Sequence, residues 1–98
     1  MFNQIQYIKI PQSETLNSYT KNKLDKLLKR FEMIQKIRVN FKLENSTPKK
    51  GKVCEIECSV PGGKYRAEAT MEHFENSAKL AFELISRQLA KKKALLSA

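Results

Sequence analysis

Residues 36–71, KIRVNFKLENSTPKKGKVCEIECSVPGGKYRAEATM, decide the fold. The stretch opens with clean alternation. Ile37, Val39, Phe41 and Leu43 fall on one side, and Lys36, Arg38, Asn40 and Lys42 on the other. That is the period of a half-buried strand. NSTPKKGK at 45–52 interrupts it, and the breakers Pro48 and Gly51 predict a turn or loop. Alternation resumes over 53–60, with Cys54, Ile56, Cys58 and Val60 opposite Glu55, Glu57 and Ser59. Pro61-Gly62-Gly63 predicts a tight reversal, because glycine supplies the positive φ that hairpin turns need. Residues 64–71 then return with Tyr65, Ala67, Ala69 and Met71 inward. Three consecutive strands joined by short turns make an antiparallel meander. Basic Arg38 and Lys42 would meet acidic Glu55 and Glu57 across the first pair, which favours that neighbour relation.

Working outward, residues 2–8 predict a first strand containing Ile5 and Ile8, ended by Pro11. Ser13 suits an N-cap and Glu14 the first helical turn, where the helix dipole favours an anion. Over 14–31 the helical period places Leu16, Leu24, Leu27 and Phe31 on one face. Over 74–93 it does the same for Phe74, Ala78, Ala81, Ile85 and Leu89, with the chain fraying after Lys91-Lys92-Lys93. The order is βαβββα. The first strand reaches the second through a helix, so it can lie parallel to it by a crossover. One apolar face per strand and two amphipathic helices predict an α/β two-layer sandwich, a four-stranded sheet with both helices on one face. Residues 1–98 read as a single domain, with 91–98 a basic, partly frayed C-terminal end.

Composition narrows the function classes. Ninety-eight residues, 41% hydrophobic and 30% charged, make one modest globule and not a disordered tail. No apolar run approaches the roughly 20 residues that span a bilayer. MFNQIQYIKIPQ lacks the basic-then-apolar plan of a signal peptide, which predicts a cytoplasmic protein. Cys54 and Cys58 would share a strand face roughly 13 Å apart, too far for a mutual disulfide. They read as small core residues, and with only His73 to join them no metal site is expected. No Gly-rich phosphate loop precedes a helix, no nucleophile has an activating base, and Glu55 and Glu57 read as surface ion-pair partners. Neither an enzyme nor a cofactor is expected.

Charge points to a partner. The net charge is +9, and each helix carries five basic and two acidic residues. Lys49, Lys50 and Lys52 add to the excess in one loop, whereas the strands with their flanking acids come close to neutral. Concentrated basic charge of this kind indicates a polyanion. Lys23, Lys26 and Arg30 form a stripe on the first helix with Lys29 nearby, and Lys79, Arg87 and Lys91 form one on the second. Glu83 lies four residues from both Lys79 and Arg87, so part of that charge could serve helix pairing. Phe31, Phe41, Tyr65, Phe74 and Phe82 take core-facing positions, leaving only Phe2, Tyr7 and Tyr19 as candidates for base stacking. Phosphate contact by lysine and arginine is therefore expected over base reading. A membrane surface fits less well, because the apolar helix faces are needed to cover the sheet.

VPGG at 60–63, AEA at 67–69, SRQLAKKK at 86–93 and Ser13-Glu14-Thr15-Leu16 opening a lysine-rich helix occur in a characteristic order. In this the chain resembles the ribosome hibernation promoting factor and ribosome-associated inhibitor (sigma-54 modulation protein) family, over essentially its whole length. The resemblance implies a fold similar to a double-stranded RNA-binding domain. It implies binding to the small ribosomal subunit, to 16S ribosomal RNA and neighbouring ribosomal proteins, in the channel used by messenger RNA and transfer RNA. Occupying that channel inhibits translation and stabilises idle ribosomes in stationary phase or stress. Carried over by position, the RNA contacts are Lys23, Lys26, Lys29 and Arg30 on the first helix and Lys79, Arg87, Lys91 and Lys92 on the second, with Lys9 a weaker candidate. Ending at Ala98, the chain is similar to the short form, expected to be a monomer off the ribosome. In that branch ribosome dimerisation depends on a separate modulation factor. One departure stands out: His73-Phe74-Glu75 replaces the Asp-Met-Tyr of many members. The residues alone also fit a general double-stranded RNA-binding module, or a regulatory protein whose charged sheet face binds another protein.

Overall fold

The computed structural model describes residues 2–44 and 51–97. Its elements are β1 (Phe2–Tyr7), α1 (Glu14–Arg30), β2 (Lys36–Leu43), β3 (Lys52–Val60), β4 (Gly63–Met71) and α2 (Phe74–Ser97). The strands form one sheet in the order β1-β2-β3-β4, with β1 parallel to β2 and the other pairs antiparallel. The βαβββα sandwich expected from the alternation is what the chain adopts. Lys49 and Lys50, assigned to a basic loop, lie outside the described residues; Lys52 is the first residue of β3.

The core forms where the apolar periods meet. Leu16, Leu24 and Leu27 from α1 and its C-cap Phe31 pack with Ala78, Ala81, Phe82, Ile85 and Leu89 from α2 over Ile37, Val39, Phe41, Cys54 and Ile56 of the sheet. Each large aliphatic side chain removed from water here contributes roughly 1.5–3 kcal/mol. Ser13 caps α1 as expected, its Oγ accepting the Leu16 N–H at 3.2 Å. Tyr7 ties β1 to that cap: its hydroxyl donates to the Ser13 carbonyl at 3.2 Å, and its ring stacks on Phe41 at 5.5 Å.

Four details depart from the expectations. α2 continues to Ser97 and does not fray at the lysine run. Its last four residues, 94–97, include strong helix formers and no glycine or proline. Met71, expected inward, is 42% exposed at the end of the edge strand β4. Glu55 sits on the outer sheet face as expected but is only 6% exposed, because Lys42 and Arg66 lie across it. Tyr7 and Tyr19, candidates for exposure, are both partly buried against the core.

One buried polar residue had no sequence signal. Ser77 in the first turn of α2 is fully buried. Its hydroxyl accepts the Met71 N–H at 3.0 Å and donates to the Lys52 carbonyl at 2.5 Å, joining the helix start to the facing ends of β3 and β4. His73 leads into the helix through its carbonyl, which accepts the Ser77 N–H at 3.0 Å. Phe74 meets Phe41 edge-on at 5.5 Å, so the departure from Asp-Met-Tyr places an aromatic in core contact.

Candidate nucleic-acid interface

α1 and α2 lie side by side on the sheet, and a groove of about 390 Å³ opens between them. Leu27, Phe82 and Ala90 supply apolar lining, while Lys23, Lys26 and Arg30 from α1 and Lys79 and Arg87 from α2 supply charge. The spacing explains the arrangement. Lys23, Lys26 and Arg30 follow a three- and four-residue step, and Lys79, Glu83 and Arg87 follow steps of four, so each set stays on one flank of its helix. Long basic side chains lay their stems over the apolar lining and keep their heads in water.

Five cations thus face one carboxylate, Glu83. The local pairing of Glu83 with Lys79 or Arg87 does not occur as a salt bridge. Among the described residues the ion pairs lie on the sheet: Arg38 with Glu57 at 3.9 Å, and Lys42 and Arg66 with Glu55. Lys23 instead lies over the Tyr19 ring at 5.5 Å, and the Arg30 guanidinium over the Phe31 ring at 4.8 Å. The cations of the groove keep their charge unneutralised, and a run of phosphates would satisfy them together.

Of the eight residues proposed from the sequence, five line the groove: Lys23, Lys26, Arg30, Lys79 and Arg87. Lys29 and Lys91 are exposed but line no part of it. Lys92 points elsewhere: its Nζ lies 3.6 Å from where a Cβ on Gly62 would stand, at the β3–β4 turn. Lys9 is exposed and holds a left-handed backbone, φ 56°, after β1. Lys93, missing from the eight, donates to the Arg30 carbonyl at 3.3 Å and lies over the Phe31 ring at 5.8 Å. It places a cation at the C-terminal end of α1, where the helix dipole favours one. The run Lys91-Lys92-Lys93 points three ways because successive helical residues turn about 100°.

The sheet differs from its expected neutrality. Glu32, Glu44 and Glu72, counted with the strands, lie outside them. The outward-facing strand residues are Lys36, Arg38, Lys42, Lys64 and Arg66 against Glu55, Glu57 and Glu68. Burial raises the proton affinity of the Glu55 carboxyl, but hydrogen bonds from Lys42 and Arg66, and their charges, outweigh it and hold the carboxyl below its ordinary range. The cysteines are chemically quiet. Burial, helped by the neighbouring Glu55, pushes the Cys54 thiol up to about 12, and burial pushes Cys58 up to about 11. At neutral pH both are protonated and unsuited to nucleophilic attack. Among the described residues no helix is long and apolar enough to cross a membrane.

Comparison with known proteins follows this geometry. The family model described as "Sigma 54 modulation protein / S30EA ribosomal protein" matches residues 3–96. The fold is similar to that of a ribosomal subunit interface protein from Coxiella burnetii, with a TM-score of 0.83 and 22% identity, covering 96% of this chain and 99% of that one. It is also similar to the N-terminal domain of Protein Y from Thermus thermophilus, with a TM-score of 0.73 and 18% identity, covering 90% and 93% of the two chains. No curated protein sequence matches. With the family pattern running through nearly every element of the sandwich, the chain belongs to the sigma-54 modulation protein / S30EA ribosomal protein family.

Proposed function

We propose that this protein is a non-enzymatic ribosome hibernation factor. It binds the small ribosomal subunit in the messenger and transfer RNA channel, inhibits translation and stabilises idle ribosomes. The observation that carries the reading is the interhelical groove, where Lys23, Lys26, Arg30, Lys79 and Arg87 converge without an ion pair. Membership of the family supplies the ribosome as the source of the RNA. The aromatic side chains add support: Tyr7, Tyr19, Phe41 and Phe74 are engaged in the core or with neighbouring side chains, which favours phosphate contact as the binding mode, while the Phe2 side chain lies outside the described residues.

The test is co-sedimentation with 30S subunits through sucrose gradients at increasing salt. Binding should be tight at low salt and fall steeply, by roughly a factor of 10³ between 50 and 200 mM for about six phosphate contacts. The charge reversal K26E/R87E should abolish it with an unchanged circular dichroism spectrum. Equal affinity for a plain RNA duplex and for 30S subunits would favour a general double-stranded RNA-binding module.

A further inference from the structure

The outer face of the sheet, on the side away from the groove, carries a second concentration of charge. Two cross-strand rows build it. Lys36 of β2 pairs with Ser59 of β3, which pairs with Lys64 of β4. Arg38 pairs with Glu57, which pairs with Arg66. All six residues line a hollow of about 470 Å³. Strand geometry sets the four cations at the corners of a rectangle, about 7 Å along each strand and about 10 Å across from β2 to β4.

The rectangle holds four basic side chains and one acidic one. Its interior acid, Glu57, reaches Arg38 only at 3.9 Å and is half exposed. The Arg38 Nε is buried and has no partner. Arg66 is engaged with Glu55 in the next row, so it offers its remaining donors from a fixed position. Beyond the rectangle, at the Pro61-Gly62 turn, Lys92 approaches from α2 and continues the positive surface around the end of the sheet. That position accounts for the one proposed α2 lysine that turns away from the groove region towards the hairpin.

We infer that this hairpin end of the sheet is a second phosphate-binding surface, which takes a separate stretch of RNA backbone from the one in the interhelical groove. The inference rests on the ribosomal reading above and deepens it: the protein is held between two RNA segments, one on each layer of the sandwich. Charge complementarity selects the occupant. Four cations with a serine hydroxyl between them match a phosphate chain, and the spread of the corners exceeds what a single carboxylate can reach.

The test uses the full-length protein and 30S subunits. Arg38→Ala with Lys64→Ala removes two corners and leaves the Glu55 ion pairs and the core intact. The urea midpoint and circular dichroism verify the fold. The variant should bind about tenfold or more weakly at 100 mM salt, and its slope of log affinity against log salt should drop by about two. A photo-cross-linking residue in place of Ser59 should join to ribosomal RNA. An unchanged slope in R38A/K64A, while K26E/R87E still abolishes binding, overturns the second surface and leaves the proposed function standing. Full binding by K26E/R87E overturns the proposed function instead. Cross-links from position 59 to ribosomal protein alone would assign this face to a protein partner and also overturn the inference.

Discussion

Among the described residues the Glu55 carboxylate is the buried acidic group. It is covered by Lys42 at 3.2 Å and by Arg66, and its affinity for a proton is lowered. A carboxyl lowered by folding stabilises the protein above the unfolded-state value, near 4.3, and that stabilisation is lost as pH falls through the folded-state value. Glu55→Gln should therefore lower stability by about 1–2 kcal/mol at pH 7, discounted for the exposure of both partners. The deficit should close as pH drops below about 4. Urea denaturation of both proteins across pH 2–7 reads this directly, and a deficit that persists at pH 2 would contradict the assignment. The face of Glu55 was legible in the alternation but its cover was not, since alternation fixes which way a side chain leaves the strand and says nothing of which long neighbours fold over it. That Lys92 faces the β3–β4 turn and not the groove was hidden for a related reason: membership of a basic run does not fix direction on a helix.

At the scale of elements, the strands and α1 were legible because local chemistry bounded them. Alternation set β2 and β3, Pro61-Gly62 set the reversal from β3 into β4 with φ 81° at Gly62, and Ser13 capped α1. The C-terminal extent of α2 was not, because a lysine run reads as solvated fraying when its partners on another element are unknown. Lys93 in fact bridges to the end of α1. Ser77 was invisible for the same reason, its two partners lying at the ends of different strands. Ser77→Ala should cost about 1–2 kcal/mol, since it strands the partly buried Lys52 carbonyl and Met71 amide at the start of α2. Hydrogen exchange should show the loss concentrated at Lys52, Met71 and the first turn of α2. A uniform change across the sheet would count against that role.

At the scale of the whole molecule, the groove needs both helices, and they come from opposite ends of the sequence with three strands between them. Helical period placed six of the candidate cations on two stripes and the family resemblance supplied the set of eight, but only packing reveals that five of them converge while three do not. The convergence has a thermodynamic consequence. With a net charge of +9 and its basic flanks brought together, the free protein folds against its own repulsion. Added salt shortens the screening length from about 10 Å at 0.1 M to about 3 Å at 1 M and relieves that repulsion. The urea midpoint of the free protein should rise with sodium chloride over the range in which 30S binding falls, and a midpoint that falls alongside it would rule this out. A bound polyanion and dissolved salt are then interchangeable counter-charges for one crowded surface. The unbound protein holds its own repulsion inside its fold, and any phosphate chain seated in the groove would relieve it.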